Sequence, residues 1–199
     1  MDWIAVGLCA DVPARTVVPR RVLNTDLAIW CSTAGVFHAW GDRCPHRGMR
    51  LSHGFVRGET LSCIYHGWTY DGDGACVSIP AHPDLVPPKS ICAAQYDCQV
   101  ADELIWVALQ PTQAPVPDLG ARRAIRSIDV ALPAQTVAAK LNQPFAPVIA
   151  LGGVHDLSLA LQPSTDADCL LHAFAAPDQD RKTVSHALEH MRNELEAAA

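Results

Sequence analysis

Two short segments concentrate the chemistry of this sequence. They are Cys44-Pro45-His46-Arg47-Gly48 and, with sixteen residues between His46 and its first Cys, Cys63-Ile64-Tyr65-His66-Gly67-Trp68. Each supplies one thiolate and one imidazole. Two thiolates and two imidazoles suit a 2Fe-2S cluster in which two Cys bind one iron and two His bind the other. With one ligand of each kind per loop, each loop touches both irons, and the pair clamps the cluster. Pro45 stiffens the first loop, while Gly48 and Gly67 let backbone pass close to the sulfides. Amides there can donate hydrogen bonds that tune the potential together with burial. Zinc is the alternative for the same four side chains, which would make the chain a zinc-binding interaction module. Common zinc fingers, however, take the Cys pair from one loop and the His pair from another.

Such loops need a rigid frame. Trp3–Leu8, Thr16–Val22, Leu27–Cys31 and Val36–Trp40 are short and rich in β-branched or aromatic residues. Asn24-Thr25, Gly35, Gly41-Asp42 and Asp71-Gly72-Asp73-Gly74 punctuate them. Further strands are expected at Thr60–Ser62, Ala75–Ile79 and Leu104–Leu109. No helical period is sustained in residues 1–110, so a mainly β fold, an antiparallel sandwich or barrel, follows. Residues 111–120, with three prolines, read as a semi-rigid linker or a crossing between domains. Residues 121–199 read as a small α+β tail with strands at Ser127–Leu132, Asp156–Leu161 and Asp168–Ala175. Its C-terminal helix, 179–198, carries an apolar stripe of Val184, Leu188, Met191 and Leu195. Asp178 and Asp180 near its start suit the helix dipole.

Composition narrows the class. At 49% hydrophobic and 18% charged, 199 residues can bury a real core. A net charge of −6 gives no basic footprint, so nucleic acid is not expected as a partner. No apolar run approaches the roughly 20 residues that span a bilayer. Asp2 stands where a secretory signal would place basic residues, so a cytoplasmic protein is expected. Eight cysteines do not imply a disulfide framework in that compartment. Cys9, Cys31, Cys76, Cys92, Cys98 and Cys169 read as buried free thiols.

From about Trp3 to Leu109 the chain resembles the Rieske 2Fe-2S domain of ring-hydroxylating oxygenase α subunits, in the vanillate O-demethylase-like branch. The segments that carry the resemblance are Asp42-Arg43-Cys44-Pro45-His46-Arg47-Gly48, Cys63-Ile64-Tyr65-His66-Gly67-Trp68 and Tyr70-Asp71-Gly72-Asp73-Gly74. Ile79-Pro80-Ala81 and Pro87-Pro88-Lys89 add to it. The resemblance implies a Rieske-type antiparallel β-sandwich with two cluster-binding loops. It also implies that Cys44 and Cys63 bind an inner iron and His46 and His66 an outer, more exposed one. Respiratory Rieske proteins carry an extra Cys in each loop, joined as a disulfide, and a Ser after the second His-Gly. Met49, Tyr65 and Trp68 occupy those positions here. The potential is therefore expected in the lower part of the Rieske range, which begins at roughly −150 mV. Tyr70 keeps a phenol that can still reach a cluster ligand.

Full oxygenases of this family add a mononuclear iron held by two His and a carboxylate. The family pattern is an acid or Asn, two residues, His, four or five residues, then His. His155, His172, His186 and His190 do not satisfy it: only three residues separate His186 from His190, and Thr183 stands where the acid should be. Leu159–Thr165, His172–Ala175 and the final helix weakly resemble late parts of the catalytic domain, as if its iron-binding middle were missing. His186-Ala187-Leu188-Glu189-His190 also fits the H-x-x-E-H pattern of inverted zinc proteases. Polar residues on the solvent face of a terminal helix explain it as well, and His155-Asp156 reads as a strand edge.

The function expected is single-electron transfer from a flavin- or ferredoxin-type reductase to a mononuclear-iron oxygenase centre on an oxygenase subunit or neighbouring protomer. The alternatives are a terminal oxygenase with an atypical iron site, acting on a small aromatic or amine substrate, and the zinc module. Related subunits are usually trimers, which leaves oligomerisation open. Arg43, Arg47, Arg50 and Arg57 crowd the cluster loops, either as a solvated surface or as a rim that steers an acidic redox partner.

Overall fold

The computed structural model describes residues 2–152 and 156–197. A six-stranded antiparallel sheet forms the frame. Its strands are β1 (Ile4–Leu8), β2 (Thr16–Val22), β3 (Thr25–Cys31), β4 (Phe37–Gly41), β9 (Gln95–Ala101) and β10 (Leu104–Ala108), in the order β1-β10-β9-β4-β3-β2. Leu23 and Asn24, both left-handed at φ 47° and 62°, make the two-residue turn between β2 and β3. Pro19, which cannot donate to a ladder, lies in the edge strand β2. Trp30, Trp40 and Trp106 are fully buried in this frame. A second sheet of very short strands carries the cluster loops: β5 (Phe55–Arg57), β6 (Thr60–Ser62), β7 (Thr69–Tyr70) and β8 (Cys76–Ser78). The first loop runs from β4 towards β5, and the second joins β6 to β7.

The tail is a four-stranded antiparallel sheet in the order β11-β14-β13-β12, built from β11 (Arg123–Val130), β12 (Val148–Leu151), β13 (Leu157–Pro163) and β14 (Cys169–Ala175). β13 is buried along its whole length, because both faces of the sheet are covered. On one side lie α1 (Ala134–Lys140) and α2 (Arg181–Ala197), where Val184, Leu188 and Leu195 are buried and Met191 packs at the margin. Full burial of each such leucine is worth roughly 1.5–3 kcal/mol. Asp180 accepts hydrogen bonds from the backbone N–H and hydroxyl of Thr183 at the start of α2, and these bonds pull its carboxyl below its usual pKa. On the other side, Ala124, Ala160 and Phe174 meet Trp3, Ala5 and Trp106 of the frame. The Pro-rich segment lies across this junction: Val116 and Leu119 pack into it, and Ala114 accepts the indole N–H of Trp3 at 2.8 Å.

Polar contacts join the two sheets as well. The backbone N–H groups of Leu23 and Asn24 donate to Pro163 (2.9 Å) and Ser164 (3.0 Å), and the Gln162 amide donates to the Arg21 carbonyl (2.9 Å). Among the described residues no helix is long and apolar enough to cross a membrane. Strands β5, β7, β9, β12 and helix α1 lie outside the elements expected from sequence. All eight cysteines are free, but Cys92 is exposed and Cys9 and Cys98 are only partly covered, which corrects the expectation of six buried thiols.

Candidate iron-sulfur centre

The two ligand loops are built alike. In the first, the Cys44 N–H donates to the Met49 carbonyl (2.8 Å) and the Gly48 N–H to the Cys44 carbonyl (2.8 Å). In the second, Cys63 donates to Trp68 (2.9 Å) and Gly67 to Cys63 (3.0 Å). Both turns need a left-handed residue at the same place, and Gly48 (φ 72°) and Gly67 (φ 70°) supply it. A Cβ on Gly67 would also come within 2.9 Å of Pro80, so the segment after β8 closes tightly over the second loop.

The structure pairs the candidate residues, Cys44 with Cys63 and His46 with His66, and sorts the pairs by exposure. Cys44 and Cys63 are buried, with their thiols within hydrogen-bonding reach of each other. The His46 and His66 rings lie side by side, centroids 4.7 Å apart; His66 is exposed and His46 half-buried. Trp68 stacks on His46 at 4.1 Å and 5°, and Tyr65 leans on His66 at 3.9 Å. The Tyr70 hydroxyl stands 3.1 Å from the Cys44 Sγ.

The electrostatics suit a metal-sulfur group. Burial pushes the Cys63 thiol up, with the neighbouring Cys44 adding to it, while the amides of Tyr65 and His66 aim at its sulfur and oppose the rise. Iron held by Cys44 and Cys63 would take the place of those protons, leaving the amides of Tyr65 and His66 as donors to the Cys63 sulfur. Partial burial, then the neighbouring His66 and Arg47, hold His46 down and keep its ring neutral, as a ligand must be. Burial and the Cys44 contact push the Tyr70 phenol up, so it stays protonated and free to donate. Paired buried sulfurs, aimed amides and two adjacent outward imidazoles fit a 2Fe-2S cluster.

The other candidate residues stay apart from this site. His186 and His190 are exposed on α2, and His190 pairs with Glu194 at 3.4 Å. His172 is sealed in the tail, with Nδ1 2.8 Å from the Ser127 hydroxyl and Nε2 3.0 Å from the Gln162 carbonyl oxygen. His155 lies outside the described residues; Asp156 pairs with Arg122 at 2.9 Å. Among the described residues no three His, Cys, Asp or Glu side chains gather closely enough to hold a single metal ion. The cover by Pro80, the stacking of Trp68 and a buried carboxylate at Asp42 have no signature in residue spacing, because each partner is set by the fold.

Residues 2–96 match the family described as the Rieske [2Fe-2S] domain; this part of the chain is a Rieske domain, and its cofactor is the Rieske 2Fe-2S cluster. The chain is homologous to Rieske oxygenase α subunits. It is 28% identical over 236 residues to the oxidoreductase NdmD of Pseudomonas putida, covering all of this chain and 40% of that protein. Against the 4beta-methylsterol monooxygenase of Methylococcus capsulatus it is 44% identical over 109 residues, 53% of this chain and 29% of the other. The chain thus spans less than half the length of these relatives. Its fold is that of apo dicamba monooxygenase, with a TM-score of 0.78 at 20% identity over 98% of this chain and 85% of the other.

Proposed function

We propose that this chain is a Rieske electron carrier or accessory oxygenase subunit, working in the cytoplasm. It takes single electrons from a flavin- or ferredoxin-type reductase and passes them to a mononuclear-iron centre on an oxygenase subunit or neighbouring protomer. Cys44 and Cys63 hold the inner iron, and His46 and His66 the outer one. When bound, the cluster gains and loses one electron at a time. The buried thiol pair keeps water from the sulfur side, and the outward imidazoles offer partners the short contact. The observation that carries this reading is the sorting of ligands by exposure on two loops of matching backbone geometry.

Ile64 and Tyr65, both exposed, flank His66. Of the four loop arginines, Arg50 is held by Asp26 and Asp42, and Arg57 lies over the Phe55 ring. Arg43 and Arg47 are left to steer an acidic partner, a narrower rim than residue types alone suggest. If electron-transfer on-rates do not fall as salt rises, the steering fails.

The deciding experiment is iron, zinc and acid-labile sulfide per chain. Two irons with two sulfides are expected. Three irons with two sulfides would favour a terminal oxygenase, a second reading supported by the tail's fold likeness to a monooxygenase. Zinc without sulfide would overturn both.

A further inference from the structure

We propose that Asp42 is the positioning residue of the first cluster loop, fixing Cys44 and His46 against the second loop and holding the cluster's potential down. The proposal rests on the ligand assignment above. Asp42 follows β4, two residues before Cys44, and its side chain is wholly buried. One carboxylate oxygen accepts the Ser52 backbone N–H at 2.7 Å, and the other accepts the Ser52 hydroxyl at 2.6 Å. Ser52 belongs to the 3-10 turn Leu51–His53 that ends the loop. One side chain therefore ties the start of the loop to its end.

A strap of alternating charges backs this tie. The Asp42 N–H donates to the Asp26 carbonyl at 3.0 Å. Arg50 reaches Asp42 at 3.8 Å and Asp26 at 3.1 Å, and Arg21 holds Asp26 at 2.7 Å. Arg21 is also the residue whose carbonyl receives Gln162 from the tail sheet. The second loop is closed differently: the hydroxyls of Ser62 and Thr69 meet at 2.8 Å across its base, with no charge. A buried carboxylate costs more than a hydroxyl pair unless it is well partnered. What it adds is a negative charge at the base of the first loop, two residues from Cys44, which would oppose the electron that reduction brings.

The test uses the cluster-loaded protein with Asp42→Asn, Asp42→Ala, Ser52→Ala and, as a charge control away from the loops, Glu189→Gln on α2. Asp42→Asn keeps most of the geometry and removes the charge, so its midpoint potential rises above wild type. Ser52→Ala keeps the charge and loosens the loop: the midpoint moves little, but a chelator strips iron about tenfold faster, the equivalent of one charge-assisted hydrogen bond. Asp42→Ala shows both effects, and Glu189→Gln leaves the midpoint unchanged. Wild-type midpoint and EPR g-values in Asp42→Asn overturn the proposal, even if Asp42→Ala fails to fold. So does a lower melting temperature in these variants with unchanged iron release and potential, since that describes a merely structural group. Absence of cluster from the wild-type protein would instead overturn the ligand assignment.

Discussion

His66 is exposed and His46 half-buried, with their rings side by side, whereas His172 is sealed between the tail sheet and the frame with both ring nitrogens hydrogen-bonded. Around His172 every partner comes from the chain: a ring protonated at Nε2 donates to Gln162 and accepts from Ser127. At the cluster loops the thiols pair on the buried side, and the imidazoles meet only other rings: each other, Trp68 and Tyr65. The difference separates a histidine that specifies a fold from a pair held ready for a ligand. Stability is concentrated where the sheets are covered on both faces; chemistry is concentrated where tight turns hold side chains out of the core.

The sharpest way to break this comparison is to remove a ligand. Cys63→Ala should abolish the cluster, with iron and sulfide content falling to background, while hydrogen exchange in β13 and β14 stays as slow as in the wild type. Loss of protection across the tail would show that the two regions fold as one unit around the cofactor. The complementary change is Leu188→Ala on α2. Leu188 is fully buried, so truncation should cost roughly 2–5 kcal/mol in denaturant melts. The midpoint potential should not move, because the cavity opens in the tail core, away from the cluster loops.

The comparison also explains what the sequence discloses. The candidate ligand set was legible because metal chemistry demands particular residue types at particular spacings, and β2 was legible to the residue because its β-branched start runs to the turn at Asn24. β5 and β7 are three and two residues long, too short for any period to show. The helix α1 has small residues where a stripe would be needed. β9 carries a readable alternation, Tyr96 and Cys98 half-buried between exposed Gln95, Asp97 and Gln99, which a search for apolar runs passes over. The contrast between His172 and His66 is invisible in sequence, since it depends on Gln162 and Ser127 arriving from other strands.

Acid should separate the two kinds of histidine. Burial, followed by the nearby Arg20, pulls His172 down to about 3, against an ordinary 6.5. The folded state therefore binds fewer protons than the unfolded one between those values. The stability this neutral ring contributes is complete above pH 6.5 and is lost as pH falls towards 3. The loss is about 1.4 kcal/mol per pH unit, or about 3 kcal/mol by pH 4.5. Comparing wild type with His172→Gln in melts at pH 7 and 4.5 isolates this share; equal pH slopes for the two proteins would mean that the ring protonates within the fold.

The smallest effect probes a side-chain hydrogen bond that reaches a proposed ligand thiol. The Tyr70 phenol, fully buried and 3.1 Å from the Cys44 sulfur, donates to it once that sulfur is a thiolate. Reduction adds negative charge to the cluster and strengthens such a bond, so the phenol favours the reduced state. Tyr70→Phe removes the hydroxyl and keeps the ring that packs edge-on against Trp40. If the difference between the two states is about 1 kcal/mol, the midpoint falls by roughly 40 mV. Stability should change by no more than a similar amount, since no larger group is left unpaired. An unchanged or higher midpoint would mean that the hydroxyl does not favour the reduced state. The low potential expected of these loops, from the missing disulfide, the absent serine and the charge of Asp42, would then not be offset by this bond.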